Sequence, residues 1–422
     1  MDEPLEQWKR AVQSGDSATV RALFAAHPEL TGHINAQIFA FDSPAIFCAR
    51  SNLELVDLLL AHGADINQKT GWGAGGFGIL EDVSVEVAQP LIERGAEVDI
   101  WAAVSLNDRE RTRVLLDQDP GLITARGGDG KHPLRYARDV EMVDFLIGRG
   151  GDVEGRCIDH GSTPLQYAIG HREIVFRLLD HGAEPDIFMA AYWGSVSHGE
   201  QCIGADPSCC DARLGEGPWT NLGRGDIYKW TIEHDATPFQ VARSRGHDAM
   251  VAFIDQHAAP QTRLRDAIWQ GDRERVAAVR SETAGVLEML LASDPAALAR
   301  AVWWYNPGAA ELMLELGFDP HQAGVHDSTP LDRAAFHGYA DIVALLLRSD
   351  PNPPIDRVNE FGGTPLAACL YGMRHGWTTG HPQDHVETAR LLIAAGSAVN
   401  ERFLGWGNAE TDALIRERLA SA

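Results

Sequence analysis

The feature that most constrains this chain is a segment that keeps returning. "STPLQYAIGHREIVFRLLDHGAEPD" (162–186) comes back as "STPLDRAAFHGYADIVALLLRSDPNPPID" (328–356) and as "ATPFQVARSRGHDAMVAFIDQHAAP" (236–260). "KHPLRYARDVEMVDFLIGRGGDVE" (131–154), "SPAIFCARSNLELVDLLLAHGADIN" (43–67) and "GTPLAACLYG" (363–372) belong to the same set. The closing glycines keep a ruler, with Gly63 to Gly95 and Gly150 to Gly182 each 32 residues apart. In 163–180, Pro164 stands where a first helical turn needs no amide hydrogen. Leu165 and Ala168 share one face of a first helix, and Ile174, Val175, Leu178 and Leu179 form the apolar face of a second. Gly182 suits the left-handed residue that closes it. Neither helix is long enough to stand alone, so each pair must be covered by its neighbours.

A second flavour of repeat alternates with the first: "WKRAVQSGDSATVRALFAAHPEL" (8–30), "WAAVSLNDRERTRVLLDQDPGL" (101–122) and "LRDAIWQGDRERVAAV" (264–279). It lacks Thr-Pro-Leu and keeps the two-helix pattern. These motifs resemble the ankyrin repeat, whose period is about 33 residues and whose signature is Thr-Pro-Leu-His-x-Ala. The resemblance covers nearly the whole chain and implies an all-α ankyrin-repeat solenoid of about twelve helix pairs with inserted loops. "GWGAGGFGILED" (71–82), "GRGDIYKWTIEHDATPFQVA" (223–242) and "HGWTTGHPQDHVETARLLIAAG" (375–396) further resemble segments of long bacterial ankyrin proteins, a likeness that implies architecture and no particular chemistry.

The expected organisation is an N-terminal array over 1–210 carrying a glycine-rich insert at 68–82, then an inserted loop at 211–230. A second array follows over 231–400, with an insert at 372–385, and a cap closes the chain over 401–422. The 422 residues are 45% apolar and carry a formal net charge of −24. So acidic a surface repels phosphate backbones and argues against a nucleic-acid partner. The start, Met1-Asp2-Glu3-Pro4, does not read as a secretory leader, and no apolar run approaches membrane-spanning length. Six cysteines in so long a chain suit a reducing compartment. A soluble, cytoplasmic protein is expected.

The resemblance also assigns candidate binding residues. In ankyrin repeats, the two residues between Ala-Ala and the helix-ending glycine face the groove. "MAAYWG" thereby puts Tyr192 and Trp193 there, and the matching stretches add Trp269, Trp303, Trp304, Phe336 and His337. Large rings left in water form a patch that a monomer rarely exposes, so something must cover them. The inserts are one cover; a peptide, a protein segment or a small apolar ligand is the other. Trp72 and Phe77 in the first insert and Trp377 in the last are the expected gate.

Other constellations carry less. Gly73 to Gly78 formally matches G-x-G-x-x-G but follows no βαβ strand, so a dinucleotide site is not expected. Cys202, Cys209 and Cys210, with His198 or His234, lack paired two-residue spacing and read as small buried thiols. His375, His381, Asp384 and His385 crowd one insert, where Pro382 is expected to begin a helix. Neither cofactor nor metal is expected. An enzymatic alternative uses His337 or His375 with Asp327 or Asp159 for acid–base chemistry, although Asp159 and Asp327 also suit finger turns that bond their own backbone.

Overall fold

The computed structural model describes residues 3–220, 225–350, 352–376 and 380–421. Regular structure in them is helical throughout, apart from one isolated bridge between Phe39 and Ser43. The all-α, ankyrin-type helical solenoid expected from the repeats is what forms. The chain divides into two compact units, Met1–His257 and Ala258–Ala422.

The Thr-Pro-Leu signature acts as a helix-starting device. Thr163 Oγ1 caps the Gln166 amide while the Gln166 side chain reaches back to the Thr163 amide. Thr237 with Gln240 and Thr329 with Asp332 repeat this reciprocal cap. Proline follows in each case, where its missing N–H costs nothing, and the next residue (Leu165, Phe239, Leu331) is buried. The second flavour starts its helices differently: Asp16, Asp108 and Asp272 each accept from the amide three residues on. Left-handed glycines close or follow the helices, Gly182 among them at φ +89°.

In the first unit, a continuous core runs through Trp8, Leu55, Leu59, Leu80 and Leu91. Its inserts pack down onto the repeats. In the 68–82 segment, Thr70 donates to Phe77 O at 3.1 Å and Asp129 N donates to Gly75 O at 3.2 Å. Gly75 sits at φ +140°, and a Cβ there would lie 2.2 Å from Gly127 O, so only glycine permits the approach. In the 211–230 segment, Trp219 stacks edge-on against Phe188 at 4.7 Å, and Tyr228 Oη donates to Asp186 at 3.0 Å.

In the second unit, the first helices Ala297–Trp303, Pro330–His337 and Pro365–His375 lie side by side in one row. Their partners Pro307–Glu315, Ala340–Ser349 and His385–Ala394 form the other row. The last of these begins at His385, capped by Asp384, so Pro382 precedes it rather than opening it as the sequence had implied. The closing helix Ala409–Ala420 is capped reciprocally by Asn408 and Thr411.

Candidate binding surface

The helix Ile187–Trp193 is closed by Gly194 at φ +66°. A Cβ on Gly194 would strike the His247 ring at 2.7 Å, and that ring in turn bonds Tyr192 O at 3.1 Å. Tyr192 is thereby buried, with the Arg245 guanidinium 3.2 Å from its ring centroid. Trp193 is half-buried and meets Tyr192 edge-on at 5.1 Å. Trp72 packs edge-on against the exposed Phe41. Phe77 fills the space left by Gly128, where a Cβ would lie 2.2 Å from its ring. Asp159 also belongs to this unit, on a finger turn beside His160.

Glu81 holds the glycine-rich segment in place. Only 1% exposed, its carboxylate accepts from Gly78 N at 2.7 Å, Gly128 N at 3.0 Å and Tyr136 Oη at 2.9 Å. Burial pushes its pKa up, and the three donors pull it back. Beside it, the buried Lys131 pairs with Asp129 at 2.7 Å and lies 5.3 Å from each of the Phe77 and Tyr167 ring centroids.

The remaining candidates belong to the second unit. Trp303 meets His337 edge-on at 4.7 Å and carries the Arg333 guanidinium 4.8 Å over its own ring. Phe336 stacks on Tyr371 at 6.5 Å, and Tyr371 lies against His375 at 4.5 Å. Trp269 is half-buried against the unit's core, and Trp304 is half-buried at the end of its helix. Trp377 lies outside the described residues. The neighbouring finger turns add exposed apolar groups: Val325 at 65%, Val358 at 52% and Phe361 at 73%. His326 joins two of these turns by pairing with Glu360 and lying 5.1 Å from Phe361.

Arg333, Phe361 and Tyr371 were missed by sequence reasoning. Taking the residue just before the glycine in "AACLYG" would have found Tyr371. Three residues rather than two separate Ala-Ala from the glycine there, so the motif does not fit the rule as it stands, and the helix in fact runs past Gly372 to His375. Asp327, one of the acid–base candidates, is held by Arg357, whose Nη2 donates at 2.6 Å. His375 is exposed on Tyr371, whereas His337 is sealed at 2% exposure. Cys202 and Cys210 are buried, as the thiol reading expects, whereas Cys209 is half-buried at the start of the turn Cys209–Asp211 rather than in a helix core, and His198 Nδ1 bonds Ser195 Oγ at 2.6 Å.

Burial, with Arg333 and His385 adding to it, lowers the His337 pKa from 6.5 to about 4. The unfolded chain therefore takes up this proton first, and stability falls as pH drops from about 6.5 towards about 4. Between about pH 7 and about pH 5 this one group removes about 2 kcal/mol. Urea unfolding of His337→Phe should show an acid limb shallower by that amount. Parallel limbs in the two proteins would assign the loss to other groups.

Profiles of the ankyrin repeat match residues 42–71 and 326–357, and a profile of three ankyrin repeats matches 100–189. Ankyrin repeats are thus present in both units. The chain is 27% identical over 241 residues to ankyrin repeat and SOCS box protein 16 of Mus musculus, covering 50% of this chain and 48% of that one. It is 29% identical over 151 residues to the palmitoyltransferase ZDHHC13 of Mus musculus, covering 32% and 22% respectively. A third similarity, 31% over 91 residues, is to ankyrin repeat and SAM domain-containing protein 6 of the same organism. The chain therefore spans less than half the length of these relatives. Among the described residues, no helix is long and apolar enough to cross a membrane.

Proposed function

We propose that the chain is a protein-interaction module that binds a peptide or an extended segment of a partner protein through its second unit. The contact surface is the row Trp269, Trp303, Trp304, Phe336 and Tyr371, with the sealed His337 packed behind it and the finger-turn side chains Val325 and Phe361 flanking it. One observation carries this reading: apolar side chains stand exposed on successive finger turns, 65% at Val325 and 73% at Phe361, beside an exposed Tyr371. Exposed apolar groups in register with an aromatic row are the composition of an interaction surface rather than of solvated loops. Ankyrin repeats generally mediate protein contacts, which supports the same conclusion.

Charge narrows the partner's chemistry. A net charge of −24 favours a partner segment that mixes basic with apolar residues, and it raises the association rate at low salt. A small apolar ligand would exploit the rings but not the charge. Trp193, Trp72 and Phe77, all half-buried, extend the proposal to a secondary surface on the first unit, with the buried Tyr192 packed behind Trp193. A cytoplasmic setting and kinship with long bacterial ankyrin proteins complete it.

An array of immobilised peptides, basic–apolar against acidic–apolar, tests the proposal directly. The basic–apolar set should be retained preferentially and should weaken with salt. The double variant Phe361→Ala/Tyr371→Ala should weaken retention at least about tenfold, since one or two central aromatic anchors each contribute about 1–2 kcal/mol. Both side chains are exposed, so folding should survive their loss. Binding indifferent to this variant would place the interaction elsewhere.

A further inference from the structure

The finger turns of the first unit bring together groups that the binding proposal does not use. His160 Nε2 lies 3.3 Å from Asp159 Oδ2, and Asp129 on the preceding finger completes a cluster. The ligating atoms of Asp129, Asp159 and His160 all lie within 4.8 Å of one another. Backbone bonds fix the two turns: Ile158 N and Asp159 N both donate to Asp129 O, at 3.0 and 3.2 Å. Gly130 makes the approach possible, because a Cβ there would meet Ile158 at 2.5 Å.

A fourth group comes from the insert. Asp226, buried with only 9% of its side chain exposed, lies with Oδ2 3.1 Å from His160 Nδ1. A carboxylate only accepts, so Nδ1 carries the proton in this bond. That leaves Nε2, the ring atom 3.3 Å from Asp159 Oδ2, as the atom His160 can offer to an ion shared with the two finger carboxylates. The neighbouring lysines are already engaged, Lys131 with Asp129 at 2.7 Å and Lys229 with Asp226 at 2.6 Å. Among the described residues, Asp159 pairs with His160 and with no lysine or arginine.

We propose that Asp129, Asp159 and His160 bind a divalent transition-metal ion of the zinc class, with Asp226 positioning the imidazole. Imidazole and carboxylate together suit zinc better than the oxygen-only sets of magnesium or calcium. A carboxylate on the far nitrogen of a ligating histidine is the arrangement that fixes tautomer and ring direction. The separations let one ion reach all three groups after small side-chain rotations. Three protein ligands leave a further coordination position for water or for a partner's side chain. The ion ties the finger turns of two consecutive repeats to the end of the 211–230 insert.

The test uses the full chain, stripped with chelator and titrated with zinc alone in a calorimeter. A variant Cys202→Ser/Cys209→Ser/Cys210→Ser separates the proposed site from thiol binding. One equivalent should bind this variant, His160→Ala should abolish it, and Asp226→Asn should weaken it about 10–100-fold. Cobalt in place of zinc should give a visible spectrum free of thiolate charge transfer. Circular dichroism on each variant checks that the helices persist, and Asp159→Asn offers a second, milder ligand loss. Zinc left unbound by the triple-serine chain, or bound undiminished by folded His160→Ala, overturns the assignment.

Discussion

Glu81→Ala is expected to destabilise the first unit by about 3–5 kcal/mol. The substitution strips the carboxylate acceptor from the half-buried amide of Gly78 and the buried amide of Gly128, and it leaves the Tyr136 hydroxyl only the longer contact to Gly128 O at 3.4 Å. Each buried donor left without a partner costs about 1–3 kcal/mol. The carboxylate's own burial penalty is recovered on its removal, which keeps the total below the sum. Tyr136→Phe deletes one donor together with its demand and should cost only about 1 kcal/mol. Glu81→Gln keeps one good acceptor oxygen and should fall between. Hydrogen exchange supplies the local check: the Gly78 and Gly128 amides should lose protection in Glu81→Ala even at temperatures where the helices remain folded. A loss under about 1 kcal/mol would mean that water or a shifted loop takes over the clasp, and that the glycine-rich segment is not held by Glu81.

The same contrast explains what the sequence disclosed and what it did not. Helix pairs were legible because their determinants are local. Thr329, Pro330 and Leu331 cap, start and bury one helix within three positions, and the glycine after the second helix is read from its spacing. The inserts were not legible in that way. Glu81 meets Gly128 across 47 residues, and His160 meets Asp226 across 66. No periodicity encodes such pairings, since each depends on how neighbouring finger turns stack. The aromatic positions fall between these cases. A register rule inherited from the repeat located Trp303, Phe336 and His337, but whether each ring is sealed or open depends on the next repeat. His337 is closed in by Trp303, Phe336 and Tyr339, while Tyr371 keeps half its surface in water because its helix continues past the register glycine.

That glycine supplies the second large effect. Gly372 lies inside the helix Pro365–His375, where glycine ordinarily costs about 1 kcal/mol relative to alanine. Propensity alone therefore predicts that Gly372→Ala stabilises the protein. The packing reverses the sign. A Cβ at Gly372 would lie 1.9 Å from Phe336 O and 2.8 Å from the Phe336 carbonyl carbon, and both are backbone atoms that no rotamer change can move. The helices Pro330–His337 and Pro365–His375 would have to part by more than an ångström, opening gaps around Leu331, Ala335, Leu366 and Cys369 in the shared core. Overpacking of this kind costs about 1–3 kcal/mol when side chains can yield, and a rigid backbone contact places the expected loss at about 3 kcal/mol or more. Because Phe336 and Tyr371 flank the contact, the variant should also weaken binding of basic–apolar peptides, unlike a distant core substitution of equal cost. Leu312→Ala serves as that comparison, a buried leucine truncation worth about 2–5 kcal/mol in the helix Pro307–Glu315 of the other row. Unfolding followed by tryptophan fluorescence gives the stability term, and the peptide array gives the binding term. A stabilised Gly372→Ala variant would show that the two helices sit farther apart than the structure has them.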